Sequence, residues 1–285
     1  MMLRDDPLYR MQKQINLLNA QVKELKERES TPQYLFGWSG IISAIMAMPG
    51  LRGFWPMSVN RDQGVPNDLS NTGMPLTRNG TPSLTYSIPS KGAVIPNAIF
   101  QSAGGDYYSR ADQADLDITG TDNGIGPSNR GITVGCLAWA DAFTATMGLV
   151  SKWAATGNQR SYLLNWQTTG ELTFSVTSDG TAATIKTATS STAFVIDKWV
   201  FTVGRFIPST EVNIFANGVW TPNTSSIPAS AHSGTADLQV GAYNIGTQLL
   251  DGRIGFAFLS AIPAPDAVIN DLWALVEPML GDAVG

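Results

Sequence analysis

The 285-residue sequence contains one cysteine, Cys136, and one histidine, His232. A lone cysteine forms no intrachain disulfide, and the pair supplies no His/Cys metal cluster. Charged side chains make up 14% of the chain, against about 25% in an average soluble domain. The net charge is −5 and basic residues are not clustered, which excludes a broad phosphate-binding face, so no nucleic-acid partner is expected. The longest apolar stretch, Leu35 to Met48, is broken by Gly37, Ser39, Gly40 and Ser43. It falls short of the roughly 18–20 residues that span a bilayer, and no membrane partner is expected. The opening "MMLRDDPLYR" lacks the apolar region of a secretory signal. There is no Walker loop and no Gly-x-Ser-x-Gly elbow around which a Ser-His-Asp triad could use His232. The histidine reads as a loop residue, and Cys136, inside the apolar run Ile132 to Trp139, as a small buried thiol.

What is present is strand text. In "EVNIFANGVW", Val212, Ile214 and Ala216 alternate with Glu211, Asn213 and Phe215. Asn217-Gly218 supplies the positive φ angles of a two-residue hairpin. "GELTFSVTSDG" sets Leu172, Phe174 and Val176 on one face, and "KWVFTVGRF" groups Trp199, Phe201 and Val203. "GRIGFAFLSA" groups Ile254, Phe256 and Phe258 in the same way. Many short strands separated by Asn-Gly and Asp-Gly turns predict an all-β antiparallel sandwich.

Helical patterns flank this region. Leu8, Met11, Ile15, Leu18, Val22 and Leu25 form an a/d heptad seam with polar flanks, which predicts a coiled-coil stalk over 1–30 and a homo-oligomer. The a/d chemistry leans towards two strands, yet a trimer is the expected homo-oligomer. A second pattern, with Trp38, Ile41, Ile42, Ile45 and Met46 on one face, predicts a short helix packed on the body, in a linker over 31–50. The sandwich is assigned to 51–262. A C-terminal helix and tail follow over 263–285, with Val268, Leu272, Leu275 and Val276 at helical spacing and Asp266 as N-cap.

The ordered segments "GLVSKW", "RSYLLNWQ", "GELTFSVTSDG", "KWVFTVGRF", "EVNIFANGVW", "DLQVGAY" and "LLDGRIGFAFLSA" resemble the laminin G-like, concanavalin A-like jelly roll. The resemblance covers Leu51 to Ala261 and implies that fold, which serves lectins, glycosidases, adhesion modules and virion proteins alike. The glucanases of this fold carry Glu-x-Asp-x-Glu on one strand. Here Glu171, Glu211 and Glu277 stand singly, so no enzyme activity and no cofactor are expected. A short coiled coil ahead of such a domain, without an export signal, resembles a bacteriophage virion protein. That implies assembly in the host cytoplasm, display on the virion surface, and the major capsid protein and other virion proteins as partners. The expected role is capsid decoration or head fibre. The alternative is a tail-fibre-type receptor-binding protein that recognises host glycans. Within "DYYSRADQADLDITGTD", Asp115 and Asp117 alternate with Leu116 and Ile118 and are weak calcium candidates on an outer strand face. Trp220, directly after the hairpin turn, is the candidate ligand-contact aromatic.

Overall fold

The computed structural model describes residues 33–58, 64–87, 94–116, 131–281 and 284–285. The heptad positions Leu8 to Leu25 lie outside the described residues, as does Asp117. With elements numbered in chain order, the first described helix is α1 (Gln33–Met46) and the last is α2 (Asp266–Leu280).

Two antiparallel sheets lie between the helices in sequence. The eight-stranded sheet runs β13 (Val219–Asn223), β12 (Glu211–Ala216), β11 (Trp199–Ile207), β6 (Ile132–Ala140), β17 (Gly252–Ser260), β4 (Ile95–Phe100) and β3 (Ser83–Ser87). Strand β1 (Leu51–Pro56) pairs with the second half of β17. The seven-stranded sheet runs β10 (Lys186–Thr189), β9 (Leu172–Val176), β8 (Gln159–Trp166), β7 (Met147–Ala154), β14 (Leu238–Val240), β5 (Tyr107–Arg110) and β2 (Thr77–Asn79). A small ribbon, β15 (Ala242–Tyr243) with β16 (Gln248–Leu249), lies against β7.

Alternation places one residue in two between the sheets. Leu172, Phe174 and Val176 face Val212, Ile214 and Ala216 across a core that also holds Trp55, Phe100, Tyr108 and Trp166. Cys136 lies in the same core, where burial pushes its thiol well above the usual range and leaves it inert. The hairpin turn between β12 and β13 is made as expected, with φ of 42° at Asn217 and 93° at Gly218.

The outer face of the eight-stranded sheet is also dry. Trp199, Phe201, Val203, Phe215, Phe256 and Phe258 form a second core with Ile41 and Ile45 of α1 and Ile269, Leu272 and Val276 of α2. The helices approach closely because Gly37 has no side chain: a methyl there would sit 3.0 Å from Met279 Sδ. The linker helix therefore packs on the body. In α2, Leu272 and Val276 point inward as expected, Val268 is partly buried, and Leu275 is exposed.

Two local expectations are corrected. Ile254 does not share a face with Phe256 and Phe258, because the register of β17 against β6 shifts between Ile254 and Phe256. The bulge turns Ile254 to the inter-sheet core and the two phenylalanines to the helices. Asp266 is the first helical residue and not the N-cap, which is Pro265 without a side-chain cap. Its carboxylate pairs with Arg205 instead, and Arg205 also bonds Ala264 O at 3.0 Å and Glu211 Oε1 at 2.6 Å. This pins the start of α2 to the sheet. No described helix is long and apolar enough to cross a membrane.

Candidate functional site

On the seven-stranded sheet, strand ends and loops enclose a cleft of about 250 Å³. Its floor is Trp153 of β7 and Gln239 of β14, with Tyr107 of β5 to one side. Thr156 comes from the β7–β8 turn and Gln159 from the start of β8, Thr235 and Asp237 from the segment before β14, and Ile245 from the tip of the β15–β16 ribbon.

Hydrogen bonds fix these walls. Gln159 Oε1 accepts from Thr235 N at 2.7 Å, tying the start of β8 to the segment before β14. Asn244 N donates to Trp153 O at 2.9 Å, and Asn244 Oδ1 accepts from Ala155 N at 2.8 Å, which locks the ribbon tip over the end of β7. Behind the cleft, Lys152 is fully buried and its Nζ donates to Asp112 Oδ1 at 2.5 Å, to Ala236 O at 2.9 Å and to Gly234 O. A buried ammonium so enclosed by oxygens holds residues 234–236 against the sheet. The cleft is thus largely pre-formed, with an aromatic floor and a few convergent polar groups, as small-molecule sites are.

Ile245 stands out at its rim. It is 65% exposed and adopts φ of 60°. A β-branched residue in the left-handed region is a genuine outlier, and such conformations concentrate at ligand sites. Asn244 and Gly246 on either side share positive φ, so the whole tip is turned to present this side chain.

The residues singled out in the sequence lie elsewhere. Asp115 falls in a 3₁₀ turn, Ala114–Leu116, and not in a strand, so its alternation with Leu116 does not define a sheet face. Its neighbours in the acidic run serve the fold. Asp106 accepts from Thr81 N at 2.6 Å and Gln101 N at 3.1 Å, and Asp112 holds Lys152. Among the described residues no group of three His, Cys, Asp or Glu side chains could hold a metal. Trp220 is half-buried, packed edge-on against Phe215 at 5.1 Å under the Arg205 guanidinium at 4.3 Å. It extends the second core and does not line the cleft. His232 is half-buried in a loop, and its main chain accepts from Ser161 Oγ at 2.6 Å.

Trp153 reads as core in the sequence and is buried, while the polar lining around it does not show in the sequence. The one local signal was "YNIGTQ", a β-branched residue beside glycine inside a turn.

The model of the concanavalin A-like lectin/glucanases superfamily matches residues 118–257, just under half of the chain. No curated protein sequence matches this one. Solved structures do. The botulinum neurotoxin serotype C1 binding domain is 10% identical with a TM-score of 0.57, over 79% of this chain and 52% of that one. A botulinum neurotoxin DC binding domain, solved with SialylT, is 10% identical at a TM-score of 0.55. This chain spans about half the length of those toxin domains. Domain 4 of an extracellular arabinanase from Geobacillus stearothermophilus, solved with arabinotriose, is 13% identical at a TM-score of 0.52, over 79% of this chain and 98% of that domain. The chain therefore has the concanavalin A-like, laminin G-like jelly-roll fold, an antiparallel sandwich.

Proposed function

We propose that this chain is a non-enzymatic glycan-recognition protein of a bacteriophage virion surface, and that the cleft around Trp153 takes the sugar. The observation that carries the binding reading is the cleft itself. Half-buried Tyr107 and largely buried Trp153 line it with aromatic surface, and Gln159, Gln239, Asp237, Thr156 and Thr235 line it with polar groups suited to sugar hydroxyls. Neighbours of the same fold have been solved with arabinotriose and with SialylT, which supports a sugar as the ligand class. The non-enzymatic reading rests on the carboxylates. Glycoside hydrolysis needs two facing the bond, and the described lining offers Asp237, with nearby Asp112 committed to Lys152.

The virion context is supported by the sequence: a heptad seam from Leu8 to Leu25, few charges, and a single cysteine in a chain of outward-facing composition. In this reading the seam joins copies and multiplies weak glycan contacts by avidity. A capsid decoration or head-fibre role is the second reading. It is favoured by Val195, Ile196 and Val219, which are exposed at one end of the sandwich where Phe194 and Val219 line a smaller cavity. That end suits contact with other virion proteins.

The test is a glycan array probed with the full chain and with Thr156→Trp, which fills the cleft from an exposed position. Wild-type binding lost in the variant supports the reading. Equal binding by both places the sugar elsewhere, and capsid-bound copies without any glycan binding favour the decoration role.

A further inference from the structure

We infer that the cleft selects neutral glycans and rejects acidic ones; this rests on the glycan reading above and narrows it. The described lining holds one acidic side chain, Asp237, and no lysine or arginine. Asp237 is exposed in the lining, where its Oδ1 accepts from Asp112 N at 3.3 Å, so a ligand in the cleft meets its negative charge. Sugar carboxylates and sulfates are recognised by cations, above all by arginine, whose fork matches them bidentately.

The cations near the cleft are already committed. Lys152 touches the wall from behind, but it is fully buried beneath Asp112, Gly234 O and Ala236 O. Arg160 follows Gln159 in sequence and donates to Gly180 O at 2.9 Å. Arg110, opposite Leu238 in the neighbouring strand, donates to Gln113 Oε1 at 2.8 Å. An acidic sugar in this cleft would therefore meet Asp237 with no cation in the described lining, on a chain whose net charge of −5 already repels it. The remaining groups, amides and hydroxyls beside an indole, suit uncharged hydroxyls and acetamido groups. At about 250 Å³ the cleft lies below the range of about 300–1,000 Å³ typical of small-molecule pockets, so it takes only a small part of an oligosaccharide.

The experiment compares matched array pairs, each neutral oligosaccharide printed beside its sialylated form, at low ionic strength where charge effects are largest. The full wild-type chain is expected to bind neutral members about tenfold more strongly than their sialylated partners, as a like charge at close range predicts. Asp237→Asn should bring the ratio towards one at an unchanged melting temperature, because the amide oxygen still accepts from Asp112 N, and Asp237→Lys, which loses that bond, should invert the ratio. Sialylated members bound as well as or better than neutral ones by the wild type would overturn the inference and leave the glycan reading standing. If no member of any pair binds, the glycan reading itself fails and the inference falls with it.

Discussion

Ile245 shows how a single residue can trade stability for a site. Holding a β-branched side chain at φ of 60° costs on the order of 1–3 kcal/mol, and exposure at the rim returns little of this through burial. Glycine accepts that φ freely but loses more chain entropy on folding. Ile245→Gly is therefore expected to raise the melting temperature by about 2 °C, at a net gain of about 1 kcal/mol, while weakening sugar binding. A melting scan showing a loss of several degrees would mean that Ile245 is a packing residue. Lys152 has the opposite character. Its removal strands the Asp112 carboxylate and two buried carbonyls, so Lys152→Met should cost about 3 kcal/mol in a denaturant titration. A cost below about 1 kcal/mol would show that the clasp does not hold the wall of the cleft.

At the scale of elements, the sheets were legible because alternation survives in the letters. Leu172, Phe174 and Val176 share a face, and Asn217-Gly218 makes the turn its composition requires. The bulge in β17 was not legible, since Gly255 in "GRIGFAF" reads as an ordinary strand residue until its partners on β6 are known. Nor was the cleft, whose lining comes from strand ends and loops far apart in sequence and placed by the fold alone. Asp115 and Asp117 drew notice by composition, yet the neighbouring aspartates of that run, Asp106 and Asp112, hold loops and a lysine. The helical patterns predicted amphipathic helices, and the structure supplies what they cover. Ile45 of α1 is fully buried in the second core, so Ile45→Ala should cost about 2–5 kcal/mol by thermal or denaturant unfolding. A loss within 0.5 kcal/mol would mean that α1 is an appendage on a sheet stable without it.

For the whole molecule, the sandwich presents the cleft on its seven-stranded sheet and carries both described α-helices on the opposite sheet. Display therefore requires that copies associate without covering the seven-stranded side. The heptad residues Leu8, Met11, Ile15, Leu18, Val22 and Leu25 are proposed to provide that association, in a homo-oligomer for which three copies are favoured over two. Ile15→Asp would repeat a buried charge in every copy around the seam, and light scattering should then report a monomer with the sandwich still folded. An unchanged mass would remove the stalk from the account.

The central claim is that a sugar sits on Trp153, and the most direct measurement is a crystal structure of the full chain soaked with the glycan that binds most strongly on the array. The account predicts a sugar ring against Trp153 and Tyr107, with hydroxyls reaching Gln159, Gln239 or Asp237. A sugar ordered instead on Trp220, or anywhere outside this cleft, would contradict it.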